Sequence, residues 1–347
     1  MNKKLLIICV FIVIILRSFG SNISELEKNN TPNIVIIFTD DQGYQDLGCY
    51  GSPNILTPNL DKLAEEGIKF TDFYVASSVC TPSRAALLTG KYPIRMNLAK
   101  GVLFPNSGDK GLSPKEETIP KLLKKLNYKT ACIGKWHLGH QSKFLPLSNG
   151  FDYYYGIPYS NDMWIAPELK LHRNVILNEN ITFEDIEYMK KIGGLKEWAK
   201  ARKFNNQVPL MKNNEVIEFP VDQSTLTKRY TEEIISFIHK SKDSPFFIFF
   251  TPAMPHVPLY ASKDFMNTSQ AGLYGDTIEE IDWSVGRILS TLKDINAEKN
   301  TLVIFTSDNG PALHFFDHGG KAVSYTHLQA HETRGNLVCR LLLEKKK

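Results

Sequence analysis

The sequence predicts an α/β protein with a large, mostly parallel central sheet flanked by helices. Short apolar runs alternate along the chain with amphipathic helical patterns, which is the order typical of this class. Four of the runs are continuous and rich in β-branched or aromatic residues, as expected for strands buried on both faces. These runs are Asn33–Phe38, Thr130–Ile133, Phe246–Phe250 and Thr301–Thr306.

The N-terminus has the pattern of a targeting segment. Lys3 and Lys4 precede an apolar run, Leu5–Leu16, and small residues follow it. The run is too short to span a bilayer comfortably and is typical of a secretory signal peptide. We therefore expect residues 1–20 to be a signal peptide, the mature chain to enter the secretory pathway, and no stable membrane span.

Composition narrows the class of partner. The 347 residues are 42% hydrophobic and 22% charged, the ordinary composition of a globular protein with a large core. The formal net charge is +4, but Lys3, Lys4 and Arg17 lie in the expected signal peptide, so the mature chain is close to neutral. Nucleic-acid binding needs a basic face, and we expect no such partner. The five cysteines do not make a disulfide framework.

Four Asn-X-Ser/Thr sequons begin at Asn22, Asn29, Asn180 and Asn267. Such triplets are common and are used only if the chain enters the secretory pathway. Together with the signal peptide, they indicate a glycoprotein that is lysosomal or extracellular.

The segments between the expected strands have apolar residues at the spacing of amphipathic helices. The first helix begins after Thr57, and a second is expected to be capped by Thr118. A third covers Leu226–Ile238, where apolar residues recur every three or four positions. A fourth starts at Asp276, with Glu279 as its capping-box partner.

Two stretches have weaker patterns. Ile68–Val75 is expected to be a second extended piece that leads towards Cys80. Ser160–Val221 is irregular and is expected to be a long excursion with small elements that shapes the pocket.

A cysteine lies at the start of a further short helix. Thr81 is the expected N-cap, Pro82 is tolerated in a first turn, and Gly90 ends the helix. Cys80 then lies at the positive end of the helix dipole, where anions bind, and Arg84 follows one turn later. Taken alone, the cysteine could equally be a buried structural residue before an ordinary helix.

Polar side chains follow the ends of all four buried strands. Ligands of open α/β sheets bind outside the carboxyl ends of the strands. We therefore expect these side chains to converge at one rim, together with the Cys80 helix. They are Asp40, Asp41, Lys135, His137, His256, Asp308 and Asn309.

The acidic members of this set suit a metal ion. Asp40, Asp41, Asp308 and Asn309 offer carboxylate and amide oxygens, which calcium or magnesium prefers. For each pair alone, a loop cap or a tight turn is the alternative.

The basic members suit an anion and proton transfer. Lys135 is suited to a sulfate or phosphate oxygen, and His137 could orient or deprotonate a nucleophile. His256, held between prolines, is a candidate general acid for the leaving oxygen, although a lone histidine is more often structural.

The run Ser78–Gly90, with Cys-x-Pro-x-Arg followed by Ala-Ala-Leu-Leu-Thr-Gly, resembles the signature of the sulfatase family. The resemblance covers about Pro32–Gly320 and is similar to the animal arylsulfatase A and N-acetylgalactosamine-6-sulfatase branch. Further blocks that carry it are Gly134–Gly139, Gly156–Ser160, Pro245–Phe247, His256 and Ser307–Gly310.

The resemblance implies an alkaline-phosphatase-like fold and a sulfuric ester hydrolase of arylsulfatase type. In this family a formylglycine-generating enzyme oxidises the cysteine, here Cys80, to formylglycine during secretion. The hydrated aldehyde provides the nucleophile. One calcium ion is bound by the modified residue together with Asp40, Asp41, Asp308 and Asn309.

The resemblance also implies individual roles. Arg84 steadies the aldehyde hydrate, and His137 assists collapse of the covalent sulfate intermediate. Lys135, Ser160 and His256 hold the sulfate, and His256 or a neighbouring lysine protonates the leaving oxygen.

Several alternatives stay open at this point. The substrate could be a sulfated small molecule, sugar or lipid. A phosphoester or phosphonate hydrolase could use the same modified cysteine, and an inactive secreted homologue could keep Cys80 as a thiol. Association into a homo-oligomer is also left open.

The end of the chain departs from the family pattern. The family has a further active-site lysine in a glycine-rich loop, and Lys321 is the candidate for it. A small C-terminal antiparallel domain should follow and is largely missing. We therefore expect a catalytic domain over residues 32–321 and an aberrant tail over 322–347, without a clear strand, in a truncated or mis-joined product.

Overall fold

The central sheet is ten-stranded. The computed structural model describes residues 31–195, 202–312 and 337–341. In chain order the strands are β1 (Asn33–Thr39), β2 (Ile68–Lys69), β3 (Lys129–Gly134), β4 (Tyr153–Gly156), β5 (Lys170–Leu177), β6 (Leu210–Lys212), β7 (Glu215–Phe219), β8 (Phe246–Thr251), β9 (Thr301–Ser307) and β10 (Leu337–Leu341).

The order of the strands across the sheet is β2-β10-β9-β1-β8-β3-β4-β6-β7-β5. The central strands β9, β1, β8, β3 and β4 are parallel to one another. Strand β6 runs antiparallel to both β4 and β7, and β10 runs antiparallel to β9 and β2. The mostly parallel sheet predicted from the sequence is confirmed.

Helices flank the sheet. Within the described residues they are α1 (Pro58–Glu66), α2 (Cys80–Thr89), α3 (Ile119–Lys124), α4 (Phe183–Gly193), α5 (Leu226–Ser241) and α6 (Gly272–Asp294). None of the helices in these residues is long and apolar enough to cross a membrane.

The core is centred on the strands that the apolar runs predicted. All six side chains of β8 are buried, and β3 is buried beyond its first residue. Phe151 stacks on Phe247 and Phe249, with ring centroids 5.9 and 6.3 Å away. Each such side chain contributes about 1.5–3 kcal/mol when it leaves water, so the middle of the sheet is a rigid base for the residues at its edge.

Helix α2 begins two residues earlier than predicted. Its N-cap is Val79, so Cys80 is the first helical residue, and Gly90 ends the helix in a left-handed conformation, as expected. Thr81 is therefore not the cap. Its hydroxyl donates to the His137 carbonyl at 2.9 Å and accepts from the Leu103 N–H at 3.2 Å.

Of two further capping predictions, one is right in position only and one is wrong. Thr118 is the N-cap residue of α3, as predicted, but its hydroxyl donates to the Asn149 carbonyl and makes no capping bond. Helix α6 begins at Gly272, four residues before Asp276. The Asp276 carboxylate instead accepts from three successive backbone N–H groups of residues 267–269.

The irregular stretch Ser160–Val221 contains β5, α4, β6 and β7, which extend the sheet beyond β4. The expected extended piece after Ile68 is only two residues long. In the tail, where no strand was expected, Leu337–Leu341 pairs with β9. The expected signal peptide (residues 1–20), Lys321 and the rest of the tail lie outside the described residues.

Candidate active site

Four adjacent strands bring their carboxyl ends to one rim. Asp40 directly follows β1, Lys135 follows β3, Asp308 follows β9, and His256 lies five residues beyond β8. Because β9, β1, β8 and β3 are neighbours and parallel, these residues meet at a single edge.

The centre of the rim is a buried cluster of two carboxylates and two cations. The Arg84 Nε donates to Asp308 Oδ2 at 2.9 Å, and its Nη2 lies 3.4 Å from Asp40 Oδ1. The Lys135 ammonium forms an ion pair with Asp40 Oδ2. All four side chains are fully buried, so every charge depends on the others for compensation.

The cluster shifts the pKa of each of its carboxyls differently. Burial alone would raise the pKa of Asp40, but Lys135, His256 and Arg84 lower it well below its usual range. Burial and the Asp40 charge raise the pKa of Asp308 well above its usual range, against the effect of Arg84. Burial opposes the charge on Lys135, but Asp40 raises its pKa, so the lysine stays cationic.

Cys80 meets this cluster at the start of α2. Its Sγ lies 3.4 Å from Asp40 Oδ1 and 3.4 Å from Lys135 Nζ. Burial and the Asp40 charge raise the pKa of the thiol well above its usual range. An unmodified thiol here is protonated, and it is a poor nucleophile because the thiolate is the reactive form.

The oxygens of the rim fit a hard divalent cation. Carboxylate oxygens of Asp40, Asp41 and Asp308 lie within 4.8 Å of one another. The Asn309 Oδ1 is buried and, among the described residues, has no hydrogen-bond partner. A cation would give this amide oxygen a partner and relieve the repulsion that raises the pKa of Asp308.

The two loops that carry these oxygens are bonded to each other. The Gln42 N–H donates to Ser307 Oγ at 3.0 Å, and the Asp41 N–H donates to Asp308 Oδ1 at 3.2 Å. Asp41 itself has a φ of 59°, in the left-handed region that costs a non-glycine residue about 1 kcal/mol. The cross-loop bonds hold this conformation, so the spacing of the oxygens is set by the backbone.

His137 lies beside the cluster as a neutral ring. Burial, Lys135 and Arg84 lower its pKa well below its usual range. Its Nε2 lies 2.9 Å from the Leu103 carbonyl, so Nε2 carries the proton. The Nδ1 is buried without a hydrogen-bond partner in the described part of the chain, and its lone pair is free to accept a proton. No side-chain hydrogen bond within these residues joins His137 to the cluster.

His256 closes the other side of the rim. Its Nδ1 lies 2.5 Å from the Val257 carbonyl and 3.0 Å from Asn161 Oδ1, so Nδ1 carries a proton. Its Nε2 lies 3.2 Å from Ser160 Oγ and 3.7 Å from Asp41 Oδ2. Ser160 Oγ is also 3.3 Å from Lys135 Nζ, which links His256 to the cluster.

A glycine allows Lys135 to enter the rim. Gly134 has a φ of 117°, and a Cβ there would lie 1.9 Å from the Thr251 carbonyl oxygen. That carbonyl accepts the Lys135 N–H at 2.7 Å. Any larger residue at position 134 would force β3 and β8 apart at the point where the lysine turns inward.

The structure thus brings together the site residues that the sequence singled out and that it describes, with His137 at the margin; Lys321 lies outside the described residues. It adds Asn161, which orients His256 and could have been noticed as the next residue after Ser160. It also adds the pair of Asp46 and Tyr274, whose hydroxyl donates to Asp46 Oδ2 at 2.5 Å. The same oxygen accepts from the Gly43 N–H at 2.6 Å, in the loop after β1 that carries Asp40 and Asp41.

Known proteins match the part of the chain that carries these site residues. The Sulfatase family model matches residues 32–340. N-acetylgalactosamine-6-sulfatase of Rattus norvegicus is 39% identical over 294 residues, covering 81% of this chain and 50% of that protein. Arylsulfatase A of Homo sapiens is 40% identical over 297 residues, covering 83% and 54%. This chain therefore spans about half the length of the curated relatives it matches.

A solved structure agrees with the fold. The crystal structure of the PsFucS1 sulfatase from Pseudoalteromonas sp. superposes with a TM-score of 0.70 at 30% identity. The match covers 92% of this chain and 64% of that one.

Proposed function

The chain belongs to the sulfatase family, and on that premise we propose that it hydrolyses sulfate esters at the rim of its sheet. Residue 80, converted from cysteine to formylglycine, serves in this proposal as the nucleophile, with one calcium ion bound beside it. The supporting observation is the burial of Cys80 against Asp40 and Lys135 in a site that suppresses thiolate formation.

The aldehyde at residue 80 and the calcium ion, neither of which the structure contains, would supply a nucleophile and a positive charge. A hydrated aldehyde at residue 80 supplies an oxygen nucleophile, and a calcium ion neutralises negative charge on sulfate oxygens. Asp40, Asp41, Asp308 and Asn309 are the residues that would hold the ion. The other contributions come from the side chains of the chain itself.

Lys135 and Arg84 provide fixed positive charge. The Lys135 ammonium lies within 3.4 Å of both Cys80 Sγ and Ser160 Oγ, so it can donate to a sulfate oxygen placed between them. Arg84 is held by Asp308 and by the Lys135 carbonyl, which accepts from its Nη1 at 2.9 Å. These donors need no reorganisation when charge develops, which is the usual source of large rate effects.

The two histidines divide the proton transfers. His256 can hold a proton at Nε2 beside Ser160 and pass it to the leaving alcohol oxygen. His137, neutral and with a free Nδ1, can accept the proton that is released when the sulfate leaves residue 80.

The names of the relatives support a broad substrate class for this chain. N-acetylgalactosamine-6-sulfatase, by its name, acts on a sulfated sugar, and we propose a sulfate ester of a sugar, lipid or aryl alcohol for this chain. Modification of Cys80 requires a formylglycine-generating enzyme as a partner. We therefore place the protein in the secretory pathway, with a lysosomal or extracellular destination.

The test has two parts: an assay of two substrates and a mass measurement of the peptide that contains residue 80. Protein secreted by a host that contains the modifying enzyme is assayed with an aryl sulfate and an aryl phosphate side by side. The peptide that trypsin releases between Lys69 and Arg84 is then weighed. We expect sulfate turnover at least about 10²-fold above phosphate turnover, and loss of sulfur with the mass of an aldehyde.

Cys80→Ser is the matched variant. It should be secreted normally, because serine fits the same space, and its sulfate turnover should fall by about 10³-fold or more. Faster turnover of the phosphate would point to a phosphoester hydrolase. An intact thiol together with no turnover would point to a non-catalytic protein, and retained activity in the variant would remove Cys80 from the mechanism.

A further inference from the structure

One buried amide outside the rim is hydrogen-bonded to a residue that contacts His256. We propose that this amide, the side chain of Gln223, is a positioning residue for proton transfer to the leaving alcohol, and that it acts through Asn161 on His256. The inference rests on the proposed hydrolysis of sulfate esters and extends it to a residue that does not touch the rim.

Gln223 joins two loops that are distant in the chain. It lies in a short 3₁₀ turn, Gln223–Thr225, directly before α5, and is 5% exposed. Its Nε2 donates to the backbone carbonyl of Asn161 at 3.0 Å and to that of Asn206 at 2.9 Å. A carboxamide has two N–H donors on one nitrogen, so this side chain can hold both carbonyls at once.

Asn161 links this anchor to the imidazole ring. Its side chain is fully buried, its Nδ2 donates to the Pro258 carbonyl at 2.9 Å, and its Oδ1 accepts from His256 Nδ1 at 3.0 Å. Because Nδ2 faces a carbonyl, Oδ1 must face the ring. The ring therefore keeps Nε2 for Ser160 Oγ, 3.2 Å away at the rim.

The bonding of Gln223 is better suited to positioning than to stability. Its Oε1 is buried and has no hydrogen-bond partner among the described residues, and an unpaired buried acceptor lowers stability. Its two donors, by contrast, fix the backbone of Asn161, whose side chain orients His256. A catalytic group displaced by about 1 Å can lose about 10²-fold in rate, so a small shift of the ring would slow the proton transfer.

Two aryl sulfates that differ in leaving group separate a positioning role from a structural one. Phenol is a weaker acid than 4-nitrophenol, so its departure depends more on the proton from His256. Gln223→Met keeps the length of the side chain but lacks both donors. We expect its kcat/KM to fall by about 10²-fold for phenyl sulfate and by less than about fivefold for 4-nitrophenyl sulfate.

The ratio of the two kcat/KM values does not depend on how much of a variant is folded, so partial misfolding does not obscure the result. Gln223→Glu is the second variant, because a carboxylate of the same shape cannot donate to the two carbonyls. It should change the ratio in the same direction. Gln270→Met, at an exposed glutamine, is the matched control and should keep both parent values.

A double variant tests the route through Asn161. If Gln223 acts only by holding Asn161, then Gln223→Met should cause no further loss for phenyl sulfate when it is added to Asn161→Ala. Additive losses would overturn this route.

Equal losses for the two sulfates in both Gln223 variants would overturn the inference, since a residue that only ties two loops together lowers both rates alike. That result would leave the proposed function standing. Failure of the parent protein to turn over either sulfate would overturn the proposed function and this inference together.

Discussion

Buried carboxylates occur in two regions of this molecule and are compensated in different ways. At the rim, Asp40 and Asp308 face the buried cations Arg84 and Lys135. Along α6, buried carboxylates accept backbone N–H groups from neighbouring segments. The α6 contacts are Asp276 with residues 267–269, Glu280 with Ser262, and Asp282 with Leu60.

The difference indicates what each region is for. A buried ion pair is weak evidence for stability, since apolar residues of the same volume often stabilise as well or better. A carboxylate that caps several N–H groups fixes where those segments lie. The rim is therefore arranged for chemistry, whereas α6 determines shape. Asp46 is intermediate, because it joins Tyr274 of α6 to Gly43 of the loop that carries Asp40 and Asp41.

The largest effect is expected for Asp308→Asn. The change removes the charge of one proposed ligand and of the carboxylate whose Oδ2 lies within 2.9 Å of both Nε and Nη2 of Arg84. We expect aryl sulfate turnover to fall by about 10³-fold. We also expect calcium to raise the melting temperature of the parent protein but not that of the variant. Asp264→Asn, at a side chain that is 74% exposed, is the control and should behave as the parent. Turnover above a tenth of the parent value would contradict the assignment of the rim.

Lys135→Met should rank second. It keeps the length of the side chain but removes the cation that faces Asp40, Cys80 and Ser160. We expect kcat/KM for an aryl sulfate to fall by about 10²-fold. Lys170→Met, at a surface ion pair with Glu215, should leave it unchanged. Equal losses in the two variants would mean that buried and surface lysines are equivalent here.

Tyr274→Phe tests the role of Asp46, which links α6 to the rim. It removes the hydroxyl donor to Asp46 but keeps the ring and the Gly43 bond. One lost hydrogen bond of about 1 kcal/mol predicts a roughly fivefold higher calcium concentration for half-maximal activity, with kcat nearly unchanged. Tyr92→Phe, on an exposed ring, is the control. A loss in kcat alone would show that Asp46 does not act through the proposed calcium ligands of the loop after β1.

Asp282→Asn should affect stability and leave turnover within about twofold. Burial raises the pKa of Asp282 to about 6, although hydrogen bonds from Leu60 and Asn59 lower it. A carboxyl whose pKa is higher in the folded than in the unfolded chain binds its proton more tightly when folded. Its contribution to the free energy of unfolding is therefore greatest below the unfolded value of 3.8 and declines as pH rises to about 6.

Urea unfolding of the parent and of Asp282→Asn at pH 4 and pH 7 measures this dependence. The variant lacks the titrating group, so the parent should lose on the order of 2 kcal/mol relative to it between the two pH values. A difference that is the same at both pH values would show that the Asp282 carboxyl does not change its protonation on folding.

The sequence predicted the middle of the sheet and the rim well, for a simple physical reason. A strand buried on both faces is a continuous apolar run, and Phe246–Phe250 cannot be mistaken for a surface helix. The polar residue that ends such a run must lie at the carboxyl edge, so Asp40, Lys135 and Asp308 could be placed before any coordinates.

The outer sheet and α6 could not be predicted in the same way. Strand β6 has three residues, and the side chains of β5 are exposed or only partly buried, so neither has a continuous apolar run. Acidic residues on a helix are usually taken to face water, and only the fold shows that Asp276 and Asp282 are buried. Likewise, the hydroxyl of Thr81 does not cap its own helix but donates to the carbonyl of His137, which is distant in the chain.

The burial of Cys80 also fixes when activity is decided. Its side chain is 6% exposed and lies against Asp40 and Lys135. A modifying enzyme cannot draw a segment around such a residue into its own active site without unfolding the helix and the strand ends around it. Under the proposed modification of Cys80, each molecule therefore becomes a catalyst or an inactive copy before it finishes folding. The specific activity of a preparation would then report the fraction of chains that were modified before they folded.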